Sequence, residues 1–503
     1  MTSLEIVELF SYYIFGMKLL LIGTCFMVLL SSLDDLCIDI CFWSLRLGDA
    51  LRLRRRRYPE PTVERIAQAQ QRPLAIMVPA WQESDVIAQM VESAIQTFDY
   101  GAYHIFVGCY INDPPTIAEV QRIAERYPTV HKAIVPHDGP TCKADCLNWI
   151  IQSITMFEED NGIEFQAIVM HDSEDVVHPL ELQLFNYLLQ WESMVQLPVF
   201  SLERPWRAFT AGHYLDEFAE YHSKDLKVRE LLTGIVPSAG VASGFSRAAI
   251  RTLAASNRNI LFNTGSLTED YDFMFRLKRA SLSGTFVRFG VPKLMDRRSP
   301  FTGRWRQVKA TEFVATREYF PHLARAAVRQ KARWMLGIGF QGWREVGWEG
   351  PPGMRYMLFR DRKAIVTSLL TMLGYFVVVN VVVIHLIYWL HADSYHYPPL
   401  VEQGTTLELL VLTNLGLLAN RLFHRAYFVG RIYGWEQALL SLPRMVWGNL
   451  INFFACLRAI RLFVTHVRTG KSMTWDKTAH VFPSLEELRK APQAEALSQG
   501  ATL

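Results

Sequence analysis

AIVMHDSEDVVHP, residues 167–179, runs from an apolar segment straight into three acids, Asp172, Glu174 and Asp175. The segment Ala167, Ile168, Val169, Met170 has the length and composition of a fully buried strand. Carboxylates crowded at a strand end repel one another unless water or a cation neutralises them. A hard divalent ion such as Mg²⁺ or Mn²⁺ takes one or two carboxylates and completes its shell with phosphate oxygens. The plain alternative is a polar turn capping a helix that begins near Pro179.

The same texture extends upstream. LAIMVPA (residues 74–80), YHIFVGCYI (103–111), HKAIVP (131–136) and FQAIVM (165–170) read as strands. Helices are predicted between them over about 85–96, 117–126 and 143–157. Alternation of this kind predicts an α/β domain with a mainly parallel sheet and helices on both faces. Such sheets bind ligands beyond the carboxyl ends of their strands. Pro79, Trp81 and Glu83 follow the first strand, Asn112 and Asp113 the second, and the acidic cluster the fourth, so all should meet at one edge.

The chain of 503 residues exceeds one ordinary soluble domain, and half of it is hydrophobic. Its 52 basic and 49 acidic side chains nearly cancel, which gives no signature of nucleic-acid binding. Residues 10–32 carry one charge, Lys18, and are long enough to cross a bilayer core of about 30 Å. No basic cluster precedes them and no small-residue cleavage site follows, so an anchored helix is expected rather than a signal peptide. Residues 34–46 are amphipathic and predict an interfacial helix. Arg52 and Arg54, Arg55, Arg56 and Arg57 form a basic linker of the kind retained in the cytoplasm, which puts the N-terminus outside. Residues 364–390 hold no formal charge and are the clearest span, and 406–422 form a weaker one between Glu408 and Arg421. Residues 438–463 are apolar but interrupted by Pro443-Arg444, Arg458 and Arg461. They predict an interfacial or re-entrant helix, or a span whose arginines reach the headgroups. The basic stretch RLFHRAYFVGR (421–431) should be cytoplasmic, as should the tail after three full spans. The expected division is 1–58 for the first span and linker, 73–345 for the α/β domain, 346–466 for the membrane region and 467–503 for the tail. Seven scattered cysteines without a histidine at zinc-finger spacing suit reduced structural thiols in a mostly cytoplasmic chain.

Two downstream motifs add chemistry. GSLTEDYDF (265–273) sets Glu269 and Asp270 at a predicted helix start, where acids cap the helix or offer a base. QKARW (330–334) combines Arg333, suited to bidentate phosphate contact, with Gln330 as a hydrogen-bonding group and Trp334 as a flat apolar face. Lys331 reads as a surface residue.

HDSED, TED (268–270) and QKARW, preceded by VPAWQE (78–83) and KADCLN (143–148), resemble in order and spacing the motifs of family-2, inverting, processive glycosyltransferases. The resemblance covers about residues 73–480. DSEDVVHP, VATREYFP (314–321) and WDKTAHVFP (475–483) are similar to the phage adsorption protein B branch of that family. It implies a GT-A-type nucleotide-sugar-binding domain inserted between transmembrane helices. It implies Asp270 as catalytic base beside Glu269, with Lys143 and Asp172 near the nucleotide or its phosphates. Pro79, Ala80, Glu83 and Asp113 would line the uracil and ribose side, and Gln330, Arg333 and Trp334 the sugar-diphosphate side. A divalent Mg or Mn ion would be held by Asp172 with Glu174 or Asp175. The acidic motif departs from the common Asp-x-Asp, and the sequence leaves both second ligands open. PSAGVASGFSR (237–247) resembles the acceptor-side loop, or is a flexible turn, and Trp475, Lys477 and His480 would belong to a gating loop over 475–483.

The resemblance further implies a bacterial inner-membrane enzyme that polymerises and extrudes a polysaccharide from a UDP-sugar. An N-acetylhexosamine donor such as UDP-N-acetylmannosamine or UDP-N-acetylglucosamine is implied. Membrane lipid, the growing polysaccharide, an outer-membrane export or receptor protein, and cyclic di-GMP acting in trans are the implied partners. Longer members carry a C-terminal domain for that nucleotide, and here the sequence stops soon after Pro483, so the domain is expected to be absent. A single-addition polyprenyl-phosphate glycosyltransferase and a non-catalytic membrane scaffold or phage-receptor component are the alternatives.

Overall fold

The computed structural model describes residues 3–51, 58–255, 260–390, 399–470 and 482–483. Helix α1 (Ser3–Ala50) comes first, and a short α2 (Val63–Gln68) leads into the α/β domain. There β1 (Leu74–Pro79), α3 (Ile87–Thr97), β2 (Tyr103–Tyr110), α4 (Pro114–Arg126), β3 (Val130–Val135), α5 (Lys143–Asn161) and β4 (Ala167–Met170) alternate. Next come α6 (Glu181–Leu188), β5 (Met194–Gln196), β6 (Val199–Ser201), α7 (Phe209–Glu220), α8 (Leu226–Thr233), β7 (Ser243–Ser246) and α9 (Arg247–Ala255). Then α10 (Glu269–Arg279), β8 (Gly284–Phe286), the hairpin β9 (Gly290–Arg298) and β10 (Trp305–Phe313), and β11 (Thr316–Glu318) follow. The last described elements are α11 (Ala324–Trp334), α12 (Gly342–Val346), α13 (Pro352–Leu390), α14 (Thr406–Tyr433) and α15 (Trp435–Thr469).

The main sheet has the order β3-β2-β1-β4-β7-β5-β8, with β7 antiparallel to both neighbours and every other pair parallel. Every residue of β1 is buried because alternate side chains feed two cores. Leu74, Ile76 and Val78 pack on one face, and Ala75 and Met77 on the other. That two-sided cover is why the strand reads as an unbroken apolar run. The predicted helix 117–126 starts three residues earlier, at Pro114, whose missing N–H costs nothing at a helix N-terminus.

Seven strands, β5–β11, go beyond the four read in the sequence, and β7 is the one beside the central β4. PSAGVASGFSR was expected to be a loop, yet Ser243–Ser246 form β7 in the middle of the sheet. Its small residues answer a packing demand, since a Cβ on Gly244 would stand 2.5 Å from the Phe185 ring.

Among the described residues four helices, α1, α13, α14 and α15, are long and apolar enough to cross a membrane. The expected break between a span over 10–32 and an interfacial helix over 34–46 does not occur, because α1 is one continuous helix. Its acids turn inward instead of lying along a surface. Asp34 pairs with Arg360 and Lys363, and Asp39 with Lys224 at 2.6 Å. Pro443 likewise sits inside a continuous α15. The basic linker at 52–57 and the gating residues Trp475, Lys477 and His480 lie outside the described residues.

Candidate active site

The carboxyl ends of β1 and β4 open into a cleft closed by α10 and α11. Pro79, Trp81 and Glu83 line it from the β1 loop, and Asp172, Ser173 and Glu174 from the β4 loop. Cys142 and Lys143 enter from the start of α5, Glu269 and Asp270 from the start of α10, and Gln330, Arg333 and Trp334 from the end of α11. Eleven of the residues singled out in the sequence therefore share one cavity.

Lys143 is the hinge of the charge arrangement. Its ammonium lies 2.5 Å from Asp172 and donates to the Gly240 carbonyl at 2.9 Å. Burial works against that charge, but Asp172 and then Glu269 outweigh it and raise the lysine above its ordinary range. Gly240, at φ +79°, brings the backbone so close that a Cβ there would stand 3.0 Å from Asp270 Oδ2. Asp270 Oδ2 and, at 3.3 Å, Lys143 Nζ thus crowd the same Cβ position of one glycine.

Asp270 accepts from the backbone N–H of Tyr271 at 2.8 Å, which fixes one oxygen at the helix start. Burial raises its pKa against the pull of Lys143 and Arg333. Burial, then the charge of Asp270, lifts Glu269 to about 7. Two adjoining carboxyls that do not ionise together give a site able to hold and release a proton near neutrality. Tyr271 ties the same helix to α13, since its hydroxyl donates to Asp361 there at 2.6 Å, where Arg229 also binds.

Three predicted site residues stand behind the cavity wall. Asp175 points away, its Oδ2 bound by His171 Nδ1 at 2.9 Å and by the Asp172 N–H at 3.0 Å. His171 in turn reaches Glu181 at 3.0 Å, and these two acids, against the cost of burial, raise it to about 10. Asp113 accepts from the Gln82 N–H at 2.5 Å, holding the turn that presents Trp81 and Glu83. Ala80 is buried and donates to the Gly108 carbonyl at 2.9 Å. Each shapes the site through its neighbours.

Lys331, expected at the surface, is buried. It pairs with Glu217, donates to His213 Nε2 at 2.7 Å and reaches Asn452 of α15 at 2.9 Å. Burial, chiefly, lowers His213 to about 3, so the ring is a neutral acceptor. Trp334 lines the cleft while packing edge-on against Tyr214, centroids 6.1 Å apart.

Sequence reasoning missed Glu318, on β11, which faces the cavity. Burial, then Glu174, Asp175 and Asp172, pushes its pKa far up. Its only sequence signal is an acid set among aromatic and apolar residues in VATREYFP. Cys142, read as structural, also lines the cleft.

Among the described residues no three His, Cys, Asp or Glu side chains stand together as a ready-made metal cage. Asp172 and Glu174 on the cavity wall fit a hard divalent ion that takes its remaining ligands from a diphosphate and water.

A mainly parallel sheet with these motifs at its carboxyl edge defines a GT-A-type glycosyltransferase domain. Residues 71–337 match the family described as glycosyltransferase like family 2, and the chain belongs to that family. It is 41% identical over 481 residues to bacteriophage adsorption protein B of Escherichia coli (strain K12). Identity is the same with bacteriophage N4 adsorption protein B of Escherichia coli O157:H7. Each alignment covers 95% of this chain and 64% of the relative, so the chain spans less than two thirds of the length of these proteins. Among solved structures it is similar to the mannosyltransferase PcManGT from Pyrobaculum calidifontis, in complex with GDP-Man and Mn²⁺. That likeness has a TM-score of 0.47 and 13% identity, and covers 85% of this chain and 99% of that one.

Proposed function

We propose that the chain polymerises a polysaccharide from a UDP-activated sugar with inversion and passes the product into its membrane region. The observation that supports this most is a single cleft in which Asp270 and the Lys143–Asp172 pair meet beside Gly240, with Arg333 in the same lining.

The roles follow from charge. In an inverting transfer the acceptor hydroxyl attacks the anomeric carbon while the nucleoside diphosphate departs. Asp270 accepts the hydroxyl proton, with Glu269 tuning its basicity. Lys143 and Arg333 meet the charge that grows on the diphosphate, Arg333 by a forked contact and Lys143 as a point charge. Asp172 and Glu174 would hold a divalent Mg or Mn ion, which supplies further positive charge to the leaving group when bound. Gln330 orients a sugar or phosphate oxygen, and Trp334 offers its ring to the C–H face of a sugar. Pro79, Trp81 and Glu83 form the wall open to the base and ribose.

An N-acetylhexosamine donor is the proposed substrate class, with the domain on the cytoplasmic side of a bacterial inner membrane. The basic run at 52–57 supports that orientation. Incubating purified protein with a panel of UDP-sugars, and measuring both UDP release and product length on a gel, tests the proposal. Long products are expected, and Asp270→Asn should lower turnover by about 10²-fold or more. Products of one added sugar would favour transfer to a lipid carrier. Equal activity of the variant would remove Asp270 from the chemistry.

A further inference from the structure

Asp270 follows an irregular stretch, Gly265–Thr268, that belongs to no helix or strand. The stretch is folded by its own short turns. The Gly265 N–H donates to Asn263 Oδ1 at 3.0 Å, and the Thr268 N–H to Ser266 Oγ at 3.2 Å. Ser266, Leu267 and Thr268 line the cleft beside Glu269 and Asp270. The approach of Asp270 to a bound sugar therefore depends on what holds these residues from outside.

One side chain does so. Gln341 is buried, and its Oε1 accepts the Leu267 N–H at 3.0 Å while its Nε2 donates to the Gly265 carbonyl at 3.3 Å. The amide thus serves the stretch as a neighbouring backbone would, with an acceptor and a donor. Among the described residues, no other side chain from beyond 263–272 hydrogen-bonds Gly265–Thr268.

Gln341 reaches this place through unusual backbone. It ends a π-helical stretch, Met335–Gln341, that runs on directly from α11 with its Gln330, Arg333 and Trp334. Such turns are rare and recur at functional sites. Glycines bring the stretch close to its neighbours. A Cβ on Gly337 would stand 2.5 Å from Thr268 Oγ1, and one on Gly339 2.8 Å from Ile365 of α13. Phe340 stacks on Phe463 of α15, centroids 4.8 Å apart. The stretch is therefore wedged between α13 and α15 on one side and the residues before Asp270 on the other.

We propose that Gln341 is a positioning residue for the transfer. Its amide fixes Gly265 and Leu267, and through them the distance between Asp270 and the acceptor hydroxyl. This role rests on Asp270 being the base and adds the group that aims it. Gln341 bonds none of Lys143, Asp172 and Arg333, so donor binding is left to them. With the amide gone the donor still binds, but the acceptor hydroxyl loses its aligned base. Water then takes a larger share of the donor. Its oxygen bonds the anomeric carbon, the bond to the diphosphate breaks, and its proton passes to Asp270 or to solvent.

The test compares Gln341→Met, which keeps the length and removes both bonds, with Gln341→Glu, which keeps an acceptor for Leu267. The full chain in detergent is given the UDP-sugar that releases most UDP in the panel above. Gln341→Met should lower kcat by about tenfold or more and leave KM for the donor within about twofold. The ratio of UDP released to sugar incorporated should rise, and Gln341→Glu should recover part of both. Hydrogen exchange, which needs no substrate, should quicken at Leu267 in Gln341→Met while the interior of α10 keeps its protection. A variant that keeps kcat and that ratio, or whose loss lies in KM alone, would overturn the proposal, as would unchanged exchange at Leu267. Should Gln341→Met not fold, Gln341→Glu carries the same readings: intermediate values support the role and parental values overturn it. Asp270→Asn measured alongside separates the base from its clamp. An active Asp270→Asn removes the base, whereas an inactive one beside an unaltered Gln341→Met removes only the clamp.

Discussion

The ammonium of Lys331 rests on the carboxylate of Glu217, on the side of α11 that faces α7 and α15, while Arg333 two residues on faces the cleft. One helix therefore serves chemistry with one flank and anchoring with the other. Lys331→Met should strand Glu217 beside a neutral His213 and cost about 3 kcal/mol, as broken buried pairs do. Turnover should fall tenfold or more with a smaller change in KM, because Arg333 loses its aim rather than its charge. Lys331→Arg should restore part of the loss. Thermal melts together with steady-state kinetics check this, and unchanged values in both would dismiss the anchor.

The carboxyl pair at the start of α10 sets a pH dependence. Burial, then Asp270, raises Glu269 to about 7 from an ordinary 4.5. The base, Asp270, is itself raised by burial and must be ionised, so turnover should climb as pH rises above the ordinary carboxylate range. The stability term runs the other way. A raised pKa means that the folded protein holds a proton the unfolded chain releases. That contribution is complete below about 4.5 and is lost as pH climbs through about 7. Glu269→Gln removes the neighbouring charge, and the rise in the pH–rate profile should move to lower pH.

Gly240 should not accept even a methyl group. Its φ of +79° disfavours any side chain, and a Cβ would press on Asp270 Oδ2 and, at 3.3 Å, on Lys143 Nζ. Gly240→Ala should lower turnover by about 10- to 100-fold with the fold intact by circular dichroism. Full activity would mean that this wall is slack.

Glu174 and Asp175 should separate in their effects. Glu174→Gln should raise the Mn²⁺ concentration needed for half-maximal rate by about tenfold with little change in melting temperature. Asp175→Asn should leave that concentration unchanged, yet destabilise by about 2 kcal/mol through the exposed need of His171 for its partner. Metal titrations of the two variants, read beside their melts, decide between the roles.

Much of this arrangement is legible in the sequence because strand ends and motif spacing reveal which segments meet. Pro79, Asp172 and Asp270 could be brought to one edge before any coordinates. What sequence hides is direction. Asp172, Glu174 and Asp175 are neighbours, but the third turns under the strand because buried His171 needs an acceptor. Lys331 looked like a solvated charge because its partners lie more than a hundred residues away in each direction. Strand β7 hid among small residues, because Gly244 exists to let Phe185 approach. Glu318 announced nothing, as a lone acid in a short strand has no periodicity to betray it.

The seam between α7 and α15 is locked at two glycines. A Cβ on Gly212 would strike the Arg444 side chain at 2.6 Å, and one on Gly448 would strike the His213 ring at 2.0 Å. Such close packing leaves no room for a side chain at either glycine. Anyone trimming the protein at residue 345 to obtain a water-soluble catalyst would strip the cover from Asp216, His213 and Lys331 and should recover aggregates. Extraction should succeed only when the entire assembly is lifted out together, in a detergent gentle enough to keep α15 seated.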